Sequence, residues 1–338
     1  MKKLKLTCAH AIVKHLIAQK ILIDGKKQPL FPGVFGIFGH GNVACLGQAL
    51  EENKDKLPTY RGHHEQNMAL TGVAYSRAKR RKQIFIATSS VGPGSTNLLT
   101  AAAVAMSNRI PILFLPGDTY ANRMPDPVLQ QVEHFNNPGI TANDAFKSVT
   151  RYFDRITRPE QILQSLPQAI QLMIDPADAG PACLSLCQDT QGETFDYPEE
   201  FFKERVHNIR RPKPDDFEIK KAAEKIKSCK NPIIISGGGV FYSDAMEELG
   251  NFAIKHNIPV TQTVMGYSTM KRDHSHFLGP IGGLGGKAAN NFAKKTDLAI
   301  AVGTKLADFT TGSWANFENP DFGLVSLNIT RHDANKHL

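Results

Sequence analysis

Residues 84–97 read Ile84-Phe85-Ile86-Ala87-Thr88-Ser89-Ser90-Val91-Gly92-Pro93-Gly94-Ser95-Thr96-Asn97. An apolar run, a glycine turn and an alanine-rich continuation predict a buried strand over Ile84–Thr88 and a helix over Ser95–Asn108. Short strands that are apolar on both faces belong to parallel sheets covered by helices. The same alternation extends outward. Thr7 can cap a helix carrying Ile12, Val13, Leu16 and Ile17 on one face. Strands are expected at Val34–Phe38, Pro111–Leu115 and Ala182–Cys187, and helices at Asn42–Glu52, Asn67–Arg80 and Pro159–Met173.

From Asp189 to Pro214 the periodicity fails amid charges and Pro198, Pro212 and Pro214, which reads as an inter-domain linker. A second set follows, with helices at Asp215–Ser228, Ser243–His256 and Gly286–Lys294. Its strands are expected at Pro232–Ser236, Pro259–Thr263, Leu298–Val302 and Gly323–Ile329. The expected fold is α/β, with two doubly wound parallel-sheet domains at 1–188 and 214–338 joined by a linker at 189–213. The abrupt end after a strand-like run suggests a second domain incomplete at its C-terminus.

Composition agrees. A chain of 338 residues suits about two domains. Hydrophobic residues at 41% and charged residues at 21% exclude a disordered tail, a collagen-like rod or a disulfide miniprotein. The net charge is +8, but the one dense basic run, Arg77-Ala78-Lys79-Arg80-Arg81-Lys82, sits at a predicted helix end where cations suit the dipole. This is read as an ordinary basic surface that favours anionic ligands, with no nucleic-acid partner. Five cysteines form no metal-ligand pattern, and their odd number argues against a full disulfide framework. Lys14, His15 and Lys20 interrupt any signal-like stretch, and no run of 18 apolar residues occurs. A reduced, cytoplasmic protein without membrane contact is expected.

Four glycine loops invite ligand readings. Ser236-Gly237-Gly238-Gly239 lacks the third dinucleotide glycine, because Tyr242 stands there. Gly282-Gly283-Leu284-Gly285-Gly286-Lys287 fails the phosphate-loop pattern at Ile281 and Ala288. Both are read as tight strand-to-helix turns. Gly92-Pro93-Gly94 and Gly39-His40-Gly41 differ in being placed at carboxyl ends of strands, where open parallel sheets bind ligands. They could border one cleft.

Between these two loops lies Arg61-Gly62-His63-His64-Glu65-Gln66-Asn67-Met68-Ala69. With Gly92-Pro93-Gly94, Asn97 and Ile110-Pro111-Ile112-Leu113, it resembles the pyrimidine-binding domain of thiamine-diphosphate-dependent enzymes. The stretch Asn231–Gly239 resembles that family's central domain, so the resemblance spans nearly the whole chain. The segments Phe38–Asn42, Asp126–Gln131 and Arg155–Gln161 look like the branch that hydrolyses a C–C bond of a small polyhydroxylated cyclic diketone, a trihydroxycyclohexane-1,2-dione, in inositol degradation. Most relatives carry proline where this chain has Phe38.

The resemblance implies a catalytic role for Glu65. Thiamine diphosphate acts as an electron sink. In the family a buried glutamic acid bonds the pyrimidine ring nitrogen and favours the imino tautomer. Such a task suits a carboxyl whose charged form burial disfavours. From local sequence alone, an acid in a capping arrangement at a helix N-terminus is the better reading of Glu65, and the flanking motifs reverse that. His40 aligns with a substrate-facing position and could polarise a carbonyl or move a proton. Cofactor contacts fall by resemblance on Glu65, Gly92, Pro93, Gly94, Asn97 and Gln131, with Glu133 also near a partner subunit's cofactor. His63 and His64 are expected in loop packing or solvent, and no metal ligands are expected in this chain.

In the family, the diphosphate and Mg2+ bind a pyrophosphate domain marked by Gly-Asp-Gly. These 338 residues contain no such triplet; Gly117-Asp118 is followed by Thr119. The expectation is therefore a pyrimidine-side half-site, inactive alone, working as a homodimer or homotetramer or with a separate pyrophosphate-domain chain. The alternatives are an acetolactate-synthase-like 2-oxo acid lyase or carboligase portion and a non-catalytic dimerisation module.

Overall fold

In the computed structural model of the protein, which describes residues 2–337, the apolar runs of the first half become strands whose successive side chains serve two cores. Ile86, Leu113, Ala182, Leu184 and Leu186 join one core with the helices Cys8–Ile17 and Ile162–Ile174. Ala87, Phe114 and Cys183 join the other, with the helices Glu65–Ala78 and Leu99–Asn108. A pleat of period two buried on both faces leaves no polar side to the strand.

This sheet is parallel throughout. Its order is Thr59–Arg61, Val34–Ile37, Ile86–Ser89, Leu113–Phe114, Ala182–Cys187 and Tyr152–Ile156. Gly117–Asp118 resumes the line of Leu113–Phe114 beside Leu186 and Cys187. From Val34–Ile37 the chain first steps to one edge, then returns to place Ile86–Ser89 on the other side. The strand order therefore reverses between these two, and ligands bind beyond the carboxyl ends at such a reversal.

Two expectations need correction. The helix expected over Asn42–Glu52 begins three residues earlier, as Gly39–Asn42, then widens into a π-turn at Val43–Gly47 before Gln48–Glu51. The stretch 189–213 is largely folded. Thr194–Pro198 pairs antiparallel with Lys3–Thr7, and Arg205–His207 lies parallel to Gln19–Ile21. The two compact units divide between Arg210 and Arg211. These strands are short and half-polar, but Phe195 packs on the core and Tyr197 is fully buried, donating to Pro159 O at 2.9 Å.

His15 and His207 hold this added edge. His15 stacks on Phe201 at 4.0 Å between ring centres, and its Nδ1 bonds Phe201 O at 2.7 Å. His207 Nε2 meets Gln19 Oε1 at 2.9 Å. Burial pushes the His15 imidazole down from 6.5 to about 4, with Arg205 and His207 acting the same way; burial and Arg205 lower His207 too. The folded state thus refuses protons that the unfolded chain accepts below its ordinary value. The contribution of these histidines to stability should be full above pH 6.5 and fall as pH drops towards 4. His15 alone should cost about 3 kcal/mol across that window. Urea midpoints at several pH values should show this slope, and His15→Gln should flatten it.

The second unit carries a five-stranded parallel sheet in the order Phe277–Pro280, Val260–Gln262, Pro232–Ser236, Leu298–Val302, Gly323–Leu327. Ile234, Val260 and Ile300 pack with Leu249 and Ala253 of the helix Met246–His256. Ile233, Ile235, Ala299 and Ala301 pack with Ala289 and Ala293 of the helix Lys287–Lys295. A β-carbon on Gly239 would lie 2.6 Å from Gly303 Cα, and one on Gly282 would lie 1.9 Å from Phe309 O. Close backbone packing accounts for these glycines. Among the described residues no helix is long and apolar enough to cross a membrane.

Candidate active site

The reversal point of the first sheet is pinned by one amide. Asn42 is fully buried and donates to Thr88 Oγ1 at 2.8 Å, Ser89 O at 2.9 Å and Leu115 O at 3.2 Å. Its Oδ1 accepts from Gln191 Nε2 at 2.9 Å. Two strand ends and the helix Gln188–Gly192 are thereby fixed around the turn that holds Gly39. Asn42 closes the Phe38–Asn42 segment, but its pinning role and that of Gln191 were not marked by the sequence pattern, since a buried amide is recognisable only by the partners the fold brings to it.

Beyond these strand ends lies a cavity of about 700 Å³ lined by Ile37, Gly39, Glu65, Ser90, Pro93, Gly94, Thr96, Asn97 and Gln130. The two glycine turns do border one cleft. Gly39 has φ +51, and a β-carbon there would sit 2.4 Å from Ser90 Oγ. Glycine at this position lets the first turn close onto the second.

Glu65 is the first residue of its helix. The capping role belongs to its neighbour: His64 Nδ1 accepts from Asn67 N at 3.4 Å. The Glu65 carboxylate instead crosses the cleft, where Oε2 accepts from Asn97 Nδ2 at 2.7 Å. Its Oε1 lies 3.6 Å from where a β-carbon on Gly94 would stand, so the glycine keeps that oxygen's approach clear. Glu65 is half-buried rather than buried, because the cavity opens to solvent.

Other expected positions separate. Pro93, Gly94 and Asn97 line the cavity. Gly92 is buried with φ +65 and supports the wall from behind, where its missing side chain admits Gln130 O. Gln131 does not line the cavity: its Oε1 accepts from Val128 N at 2.9 Å, and its neighbour Gln130 takes the lining position. Glu133, His63 and His64 are exposed. His40 is half-buried one residue beyond the lining Gly39; its Nε2 is buried without a hydrogen-bond partner, and it does not line the cavity.

The donor set suits a flat, nitrogen-bearing ring. One carboxylate oxygen stands ready to meet a ring N–H, a glycine leaves room for close approach, and Ile37 and Pro93 supply apolar surface. Among the described residues no group of three His, Cys, Asp or Glu side chains could hold a metal.

Residues 20–137 match the family model "Thiamine pyrophosphate enzyme, N-terminal TPP binding domain", and residues 219–338 match "Thiamine pyrophosphate enzyme, central domain". The chain is 49% identical over 336 residues to the 3D-(3,5/4)-trihydroxycyclohexane-1,2-dione hydrolase of Clostridium tetani (strain Massachusetts / E88), covering 99% of this chain and 52% of that protein. It is 48% identical, with the same coverage, to the protein of that name in Clostridium botulinum (strain Eklund 17B / Type B). To the protein of that name in Bacillus anthracis it is 47% identical, again over 99% of this chain and 52% of the relative. The chain spans about half the length of the curated relatives it matches.

Proposed function

We propose, because this chain belongs to the thiamine pyrophosphate enzyme family, that it supplies the pyrimidine side of a thiamine diphosphate site in a cytoplasmic hydrolase that opens a trihydroxycyclohexane-1,2-dione ring in inositol degradation. The observation that carries this reading is the Glu65–Asn97 pair, set between two glycine turns at the sheet's reversal point. When bound, the cofactor would supply an electron sink for cleavage next to a carbonyl.

The chain's own part is positioning and proton handling. Glu65 Oε1 would hold a proton at the pyrimidine ring nitrogen. Asn97 fixes the other carboxylate oxygen and so aims this one. Gly94 leaves room for the ring, and Ile37 and Pro93 exclude water from its faces. His40 is assigned the substrate carbonyl on the family resemblance, and its buried, partnerless Nε2 would have to turn into the cavity to meet it. Diphosphate and Mg2+ fall to a pyrophosphate-binding domain, presented by a second subunit of a homo-oligomer or by a separate chain.

Complementation tests the assignment. The chain should be mixed with the part of the Clostridium tetani relative that it does not match, plus thiamine diphosphate and Mg2+. Ring opening should appear in the mixture and in neither part alone. Two folded, associated parts without turnover of the diketone would make this a non-catalytic dimerisation module. Turnover of pyruvate in place of the diketone would shift the substrate to 2-oxo acids.

A further inference from the structure

The strand Tyr152–Ile156 carries an arginine that the site above leaves unused. The Arg155 side chain is 21% exposed; Nε donates to Asp118 Oδ2 at 2.9 Å, and Nη2 donates to Thr141 Oγ1 at 2.9 Å and Asp144 Oδ2 at 2.8 Å. Asp118 is 1% exposed and also accepts from Ser185 Oγ at 2.5 Å and Thr141 Oγ1 at 3.1 Å. Asp118 ends a strand, and Thr141 to Asp144 open the next 3₁₀ turn. Between them, residues 119–140 contain no helix or strand. One guanidinium therefore ties the entry of this segment to its exit.

The segment supplies the Gln130 wall of the cavity, laid against Gly92. Packing does little to hold it, since Met124 and Phe135 are each 91% exposed. Its fixed points are polar: the Arg155 bridge at the base, and Asp189, whose carboxylate accepts from Ala121 N at 2.8 Å and Asn122 N at 3.2 Å.

We infer that Arg155 is a positioning residue, which sets where the Gln130 wall stands by bridging Asp118 and Asp144 across the base of the segment. The planar fork matters as much as the charge. A lysine ammonium could neutralise one carboxylate but not span both in this geometry. That the wall serves a cofactor rests on the function proposed above; the bridge itself does not.

The test uses the full chain without cofactor. Arg123 is exposed and is the one Lys or Arg in the segment, so trypsin has a single cleavage point there. Arg155→Met should raise cleavage after Arg123 about tenfold, because cutting tracks local opening. Deuterium uptake over Gly92–Asn97 should rise with it. Arg155→Lys should melt close to the parent yet be cut as fast as Arg155→Met. Full protection in Arg155→Lys would mean that the arginine only neutralises buried carboxylates, and would overturn the inference. Unchanged cleavage in Arg155→Met would do the same. If Arg155→Met fails to fold, Asp144→Asn decides, since it keeps the Asp118 pair and weakens the bridge, along with the Lys147 ion pair and the Thr141 N contact on the same carboxylate; parental protection there rejects the inference. Thiamine diphosphate titration of the complemented parent protein tests the functional reading separately, and failure there leaves the bridge standing.

Discussion

Glu65→Gln should slow proton exchange at the cofactor's thiazolium carbon by about 10²–10⁴-fold in the complemented assembly. Glutamine keeps the size and the contact with Asn97 but cannot carry a proton to the ring nitrogen. The helix start survives because His64, not Glu65, caps it. Melting temperature and association with the second part should therefore stay near the parent values. Nuclear magnetic resonance of the exchanging carbon-bound proton measures the effect directly, apart from any substrate step. Exchange at the parental rate would remove Glu65 from proton handling and leave the cavity without its assigned chemistry.

Gly92→Ala should be the most damaging small substitution in the first unit. The residue sits at φ +65 and ψ −116, a conformation that disfavours any β-carbon. The added methyl carbon would lie 2.0 Å from the Gln130 carbonyl oxygen, which is backbone and cannot swing aside. Strain plus the forced displacement should cost about 3 kcal/mol, or ~6–12 °C in the midpoint of a unit this size. The same push would move the Gln130 wall, so cofactor affinity in the complemented assembly should fall alongside stability. Calorimetry reads both. A parental midpoint would mean that the segment yields without resistance, contrary to its polar anchoring at Asp118 and Asp189.

Much of this was legible in the residues themselves. Ile84–Thr88 and Ala182–Cys187 announce buried parallel strands because both faces meet apolar helices. The strand Tyr152–Ile156 does not, because Asp154 and Arg155 interrupt it; in the fold they meet Ser165 and Asp118, which no spacing reveals. Glu65, Gly94 and Asn97 were recognisable by order along the chain and do converge on one cavity. Gln131 does not line it. Its side chain closes a turn onto Val128, while Gln130 adopts φ +65 and faces the cavity, and a turn's handedness is a property of backbone the sequence states weakly. Asn42 was unreadable for a further reason: its value lies in four partners drawn from distant segments.

The pairing of Lys3–Thr7 with Thr194–Pro198 sets the earliest moment at which the first unit can finish folding. A ribosome makes the opening strand first and its neighbour almost last, so the nascent chain must wait through most of the unit's translation with that ribbon unzipped. Expression fragments should therefore end after His207. One stopped at residue 188 would release a polypeptide with a bare, sticky border where Tyr197 and Phe195 ought to lie.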